Sequence, residues 1–200
     1  MTPTIYHPSD DLCSYDRAWV QSTDYQGNLC KRCGHFKAAP AFLGLGTTPQ
    51  SHYAFAVLGR NVVEVISADL HGRLERCGAI AVSKSVACVP IRVGGRRADY
   101  WAVIRTAFDD SAAVRGTDQG IFSFCPACGA RDYSVVGGDV LLASEPELIS
   151  TPIFFAASGG LVVDRDGATP LKEVVELLRG CKPPVRSRRV RLVSEPEDGL

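Results

Sequence analysis

Two short stretches, Cys30-Lys-Arg-Cys33-Gly34 and Cys125-Pro-Ala-Cys128-Gly129, decide how this 200-residue sequence is interpreted. We call each of them a knuckle. The two residues between the cysteines let both sulfurs bind one ion at about 2.3 Å. The glycine that follows takes a positive φ at little steric cost, which lets backbone N–H groups turn toward the sulfurs. The pair of knuckles therefore predicts a single metal site with four thiolate ligands.

Zinc is the cofactor that this site predicts, in a structural role. Four thiolates fill its tetrahedral coordination and leave no open position for a reacting water. Thioredoxin-like redox chemistry needs a CxxC at the start of a helix, whereas here a glycine follows each CxxC and strand-like residues follow the second. A disulfide within a CxxC would be strained and is unusual in a reducing compartment. Iron binds the same four sulfurs, so it stays open beside zinc.

The remaining cysteines and one histidine receive separate interpretations. We expect core packing for three cysteines in or next to apolar elements, which are Cys77, Cys88 and Cys181. Cys13 lies in a polar stretch and His35 follows the first knuckle by one residue. Both are candidate extra ligands, and their roles are left open.

Val- and Ile-rich runs between turn residues predict strands. These lie at 53–58, 61–66, 86–93 and 100–107 in the first half of the chain, and at 133–136, 140–143, 153–156 and 161–164 in the second. Two helices are predicted by their ends: one is capped by Ser67 and stops before Gly78, the other has Thr169 as N-cap and stops before Gly180.

The order of these elements predicts an α+β fold with mixed, mostly antiparallel sheets and two helices. Two pseudo-repeated strand–helix–strand halves, at about 30–120 and 121–193, would be joined by the zinc-ribbon-like knuckles. We expect residues 1–29 to form an N-terminal arm, residues 30–193 a single zinc-clamped domain, and residues 194–200 a flexible tail.

Composition is that of an ordinary globular protein, with 46% hydrophobic and 22% charged residues and a formal net charge of zero. No apolar run reaches the roughly 20 residues of a membrane span, and the first residues lack a basic and an apolar region. We therefore expect a cytoplasmic protein with no membrane partner. One basic stretch, Lys182, Arg186, Arg188, Arg189 and Arg191, fits either the solvent face of an edge strand or an anionic partner.

Catalytic motifs are missing from the sequence. It contains no HExxH, GxSxG or Walker loop, and none of its four histidines is followed two residues later by the Glu of a zinc deaminase. We predict a protein with no catalytic residues that is not an enzyme.

The knuckles, together with Val62-Val-Glu-Val-Ile-Ser-Ala-Asp-Leu70 and Leu74-Glu-Arg-Cys-Gly78 between them, resemble a known family. This family is the bacterial double-CXXCG proteins of myxobacterial type, which include immunity proteins against contact-delivered toxins. The resemblance covers residues 25–193. It implies a non-enzymatic protein that binds and neutralises a cognate protein toxin, and it carries over only the four knuckle cysteines.

Two functions remain open at this point. One is the toxin-binding immunity protein, and the other is a zinc-ribbon adaptor that contacts nucleic acid or a nucleic-acid-processing complex. A net charge of zero favours a protein partner over a phosphate backbone. The sequence specifies neither the toxin, nor its contact surface, nor the oligomeric state.

Overall fold

A computed structural model describes residues 3–8, 27–45, 54–58, 63–79, 86–106, 112–115, 122–129, 131–133, 140–143, 152–156, 159–163, 169–181 and 184–193. In these residues the chain forms strands and two helices, in the order β1 (Thr4–His7), β2 (Leu43–Leu45), β3 (Phe55–Leu58), β4 (Val63–Ser67), α1 (Ala68–Arg76), β5 (Val86–Val93), β6 (Arg96–Arg105), β7 (Ala112–Arg115), β8 (Phe122–Phe124), β9 (Arg131–Tyr133), β10 (Val140–Ala143), β11 (Ile153–Phe155), β12 (Leu161–Val163), α2 (Thr169–Arg179), β13 (Arg186–Arg189) and β14 (Arg191–Val193).

Two sheets carry most of the structure, a five-stranded sheet of order β2-β5-β6-β4-β3 and a four-stranded sheet of order β11-β12-β1-β13. Every neighbouring pair in them is antiparallel except the parallel pair β2–β5. Two smaller sheets have the orders β14-β10-β7 and β8-β9. The α+β class with two helices and mostly antiparallel sheets is confirmed.

The two large sheets share one topology. In each, an antiparallel hairpin (β3–β4 or β11–β12) is followed by a helix, and the strand after the helix (β5 or β13) runs parallel to the second hairpin strand with one strand between them. That inserted strand is β6 in the first sheet and β1 in the second. Each large sheet therefore contains a split β-α-β unit, but in the second sheet the inserted strand β1 (Thr4–His7) lies outside the predicted half at 121–193.

Helix α1 begins where the sequence predicts because Ser67 caps it. The backbone N–H of Leu70 donates to Ser67 Oγ at 3.2 Å, and Gly78 takes a φ of 72° just after the C-cap. Leu70 and Leu74 are fully buried on the inner face of α1. Helix α2 buries Val174 and Leu178 in the same core, so both helices and both large sheets pack around one shared cluster.

Three parts of the chain differ from the sequence expectation. Residues 4–7, assigned to an arm, form β1 between β12 and β13, because Ile5 and Tyr6 are buried there and pair on both sides. Residues 112–115, for which no strand is predicted, form β7. The basic stretch is not one edge strand: the chain passes from β13 to β14, in another sheet, at the buried Val190.

A buried charge network joins the two large sheets. Glu64 of β4 is 2% exposed and accepts a hydrogen bond from Arg105 Nη2 of β6 at 2.6 Å. Its other oxygen accepts one from the Gly160 backbone N–H at 2.6 Å, and Arg105 Nε donates to the Ala156 carbonyl at 2.8 Å. Gly160 and Ala156 flank the connection between β11 and β12. Because each polar atom named here has a partner, the charges are compatible with burial.

We expect Arg105→Met to lower the free energy of unfolding by about 3 kcal/mol or more, because Glu64 loses its buried counterion. The matched control is Arg73→Met, which removes ion pairs from Arg73 to the half-exposed Asp69 and Glu173 and should cost less than about 1 kcal/mol. Urea unfolding of both variants measures the difference. Equal losses would show that the network does not hold the sheets together.

Gly160 lies where the chain has no room for a side chain. Its φ is 90°, and an added Cβ would lie 2.9 Å from His7 Cε1 and from Ile5 Cγ1. Gly95 has a φ of 80° with no atom within 4 Å of an added Cβ, so Gly95→Ala bears only the backbone strain. We expect Gly160→Ala to destabilise the fold by at least about 1 kcal/mol more than Gly95→Ala. Thermal or urea melts that coincide for the two variants would contradict the close packing of β1 on this turn.

Candidate metal centre

The two knuckles have the same backbone geometry. In the first, the Gly34 N–H donates to the Cys30 carbonyl at 2.8 Å, and in the second the Gly129 N–H donates to the Cys125 carbonyl at 2.7 Å. The two glycines have φ values of 78° and 75°. The predicted positive φ is confirmed at both, and either substitution by a residue with a Cβ would strain the turn.

Each knuckle lies at the tip of a short antiparallel hairpin. Leu29 pairs with Phe36 around the first knuckle, and Phe124 pairs with Arg131 around the second. The two pairs stand at equivalent positions relative to their cysteines, so the hairpins present the sulfurs in the same way. Phe36 also bridges to Thr106, directly after β6. The first hairpin is thereby attached to the end of the longest strand described in the five-stranded sheet.

The four sulfurs meet in one small volume. Cys30 Sγ lies 3.8 Å from Cys125 Sγ, and Cys33 Sγ lies 3.4 Å from Cys128 Sγ. All four ligand atoms are within 4.8 Å of one another. A tetrahedral ion with metal–sulfur bonds of about 2.3 Å needs sulfurs about 3.8 Å apart. The structure brings together all four predicted ligands, and they could hold a metal ion after changes of up to about 1 Å in the distances between their sulfurs.

Burial differs between the inner and outer cysteines. Cys30 and Cys125, the first of each knuckle, are buried, whereas Cys33 and Cys128 are half-buried. The exposed residues between them are Lys31 and Arg32 in one knuckle and Pro126 and Ala127 in the other. The cluster therefore lies just below the surface, with one side closed by the hairpins.

The backbone around the knuckles favours the thiolate form at two cysteines. The N–H groups of Cys33 and Arg32 lower the pKa of Cys30 to about 6 against the effect of burial. At Cys125 burial opposes ionisation, but the Ala127 N–H and neighbouring thiols outweigh it and the pKa is lowered.

The cluster alone does not favour four thiolates at once. Burial raises the pKa of Cys33 to about 12, because a further negative charge would be poorly solvated among crowded sulfurs. A divalent cation would compensate that charge. A soft, four-thiolate donor set suits zinc or iron and, when filled, leaves no open position.

The other candidate residues lie outside this cluster. The group of metal-ligating atoms found among the described residues consists of the four cysteines and does not include His35, whose carbonyl instead accepts from the Cys30 N–H at 2.8 Å. Cys13 is outside the described residues. Cys181 is buried, and Cys77 and Cys88 are half-buried against the shared core, as expected for packing. Burial raises the pKa of Cys88 to about 12.

A surface that the sequence analysis did not select lies at the turn between β5 and β6. It contains Arg92, Arg96 and Arg97, all exposed, around Gly94-Gly95. The only signal in the sequence is Gly94-Gly95-Arg96-Arg97, between the predicted strands at 86–93 and 100–107. In the residues that the structure describes, no helix is long and apolar enough to cross a membrane.

We expect Cys33→Ser to lower metal content and stability together, and Cys77→Ser to change neither by much. Both cysteines are half-buried, but only Cys33 belongs to the cluster. Structural zinc in small domains contributes on the order of 10 kcal/mol, so losing one ligand should cost several kcal/mol. Elemental analysis and thermal melts check this. About one zinc per wild-type chain is expected; less than half an equivalent, or equal melting temperatures for the two variants, would contradict the metal centre.

No family model matches the chain, and no curated protein matches it. The resemblance to the double-CXXCG proteins thus rests on the knuckles and on the strand–helix segment between them.

Proposed function

We propose that the chain is a non-enzymatic binding protein that neutralises a cognate bacterial protein toxin and is held in its active shape by a structural zinc ion. The observation that carries this proposal is the closed cluster of four sulfurs, which joins cysteines 95 residues apart. The immunity role itself follows from the resemblance to the double-CXXCG proteins.

A zinc ion in this cluster would have no catalytic position. Its four ligands are Cys30, Cys33, Cys125 and Cys128, and a water or substrate would have to displace one of them. Zinc would supply charge compensation and cross-linking. These are the contributions that a rigid scaffold needs.

Cross-linking matters for a binding protein because a preformed surface loses less conformational entropy on association. The metal would fix the second hairpin relative to the first, and Phe36 fixes the first hairpin to the end of β6. The network around Glu64 ties the two large sheets together. All three connections support a surface that is rigid before the partner arrives.

Charge supports a protein as the partner. The net charge of zero gives the chain no long-range attraction for a phosphate backbone. A stoichiometric contact with a folded toxin requires only local complementarity.

The second candidate function is a zinc-ribbon adaptor for nucleic acid. It is favoured by two groups of exposed arginines among the described residues, Arg92, Arg96 and Arg97 beside β5–β6 and Arg186, Arg189 and Arg191 on β13 and β14. Arginines that contact phosphate would give binding with a steep dependence on salt.

The test is co-expression of the chain with the toxic products of genes that neighbour its own. We expect rescue of growth and a 1:1 complex that co-purifies. Cys33→Ser should abolish both through unfolding, whereas the matched Cys77→Ser should retain both.

Absence of any complex with a neighbouring toxin would contradict the immunity function. If, in addition, the protein is retained on a nucleic-acid column at about 150 mM salt and released steeply above it, the adaptor is the better account.

A further inference from the structure

The tip of the β5–β6 hairpin places like charges against each other. Arg92 of β5 and Arg97 of β6 are direct cross-strand partners, and Arg96 pairs with Val93 next to the turn. Like charges directly opposite on a sheet are destabilising, by up to about 1 kcal/mol. A carboxylate at either position would form a favourable pair instead. The direct cross-strand pairing therefore does not explain this arrangement.

Both guanidinium groups lie on aromatic rings. The Arg92 guanidinium is 4.4 Å from the centroid of the Phe42 ring, and that of Arg97 is 4.8 Å from the Trp101 ring. Trp101 is itself stacked with the buried His71, with centroids 3.8 Å apart and an angle of 7° between the planes. Stacking holds the planar groups in place and leaves their N–H edges available for bidentate hydrogen bonds.

These arginines also differ from other arginines of the protein in their ion pairing. Arg105 is paired with Glu64, and Arg73 with Asp69 and Glu173. Within the part of the chain that the structure describes, Arg92, Arg96 and Arg97 form no such ion pair. The hairpin tip is thus a compact positive surface whose guanidinium groups are paired with no carboxylate of the described residues.

We propose that this tip, formed by Arg92, Arg96 and Arg97 on their aromatic supports, is the surface that binds an acidic face of a protein partner. Carboxylates of Asp or Glu match the fork of a fixed guanidinium, and two such groups side by side select a cluster of them. The proposal deepens the proposed function, because it assigns the contact surface and the charge of the partner's face.

A polypeptide fits this surface better than a nucleic acid does. Proteins that bind single strands stack bases on open aromatic faces, whereas here a guanidinium covers one face of Phe42 and the Trp101 ring is in contact with both Arg97 and His71. The chain as a whole carries no net positive charge. The site is therefore local, and its size suits a few carboxylates.

The experiment measures binding of the full-length, zinc-loaded protein to fluorescent poly-L-glutamate, by anisotropy over a series of salt concentrations. Arg92→Glu is the test variant, because it places a carboxylate opposite Arg97. Arg189→Glu is the matched control, since Arg189 is also an exposed strand arginine and the change in net charge is the same. A 12-base-pair DNA duplex is the competing probe.

We expect Arg92→Glu to weaken poly-L-glutamate binding by about tenfold or more, while its melting temperature stays equal to or above that of the wild type. Arg189→Glu should weaken binding less than threefold. A tenfold change corresponds to about 1.4 kcal/mol, within the range for charge-assisted hydrogen bonds.

Equal effects of the two variants would overturn the assignment, because binding would then follow net charge and not this surface. Tighter binding of the duplex than of poly-L-glutamate, with the same sensitivity to Arg92→Glu, would assign the surface to nucleic acid and overturn it too. The probe does not involve a toxin. Loss of the toxin complex with poly-L-glutamate binding intact would therefore count against the proposed function and not against this surface.

Discussion

Four sulfurs that lie within 4.8 Å of one another connect two hairpins from distant parts of the chain. Cys30 and Cys125 are 95 residues apart, yet their sulfurs lie 3.8 Å from each other. This is possible because both knuckles stand on hairpins of the same register, and because Phe36 attaches the first hairpin beside β6. A metal ion would convert this proximity into a cross-link and compensate the negative charge, because burial raises the pKa of Cys33 and disfavours four thiolates at once.

The second connection between distant parts of the chain uses charge instead of metal. Glu64 and Arg105 lie on the five-stranded sheet. Glu64 accepts a hydrogen bond from the Gly160 N–H, and Arg105 donates one to the Ala156 carbonyl, at the β11–β12 connection of the four-stranded sheet. The two split β-α-β units therefore meet through a neutral ion pair between buried Glu64 and partly buried Arg105. Because β1 supplies the inserted strand of the second unit, the start of the chain is also built into this junction: Gly160 lies directly against Ile5 and His7.

Local signals in the sequence predict much of this architecture. They do not determine which strands pair with each other, so the parts of the fold that depend on long-range pairing could not be predicted. Ser67 and Gly78 mark α1 by capping chemistry, and the CxxCG spacing marks the ligands, because both depend on residues a few positions apart. β1 has only four residues and no turn signal, so its place depends on β12 and β13 at the other end of the chain. The opposition of Arg92 and Arg97 depends on a register that shifts between Pro90 and Arg92, which no periodicity reveals.

Net charge is a poor guide to local charge at the surface of this protein, because acidic and basic residues are not evenly distributed over it. Glu64 forms an ion pair with Arg105 inside the fold. Glu173 of α2 forms ion pairs with Arg73 and Arg76 of α1. Such carboxylates count toward the balance of 22 acidic and 22 basic residues, although their charge is compensated locally by the arginines they pair with. A chain that is neutral as a whole thus presents a positive tip. A net charge of zero disfavours binding to a nucleic-acid backbone. It is compatible with specific recognition of carboxylates, because that recognition depends on the two stacked guanidinium groups and not on the net charge of the whole chain.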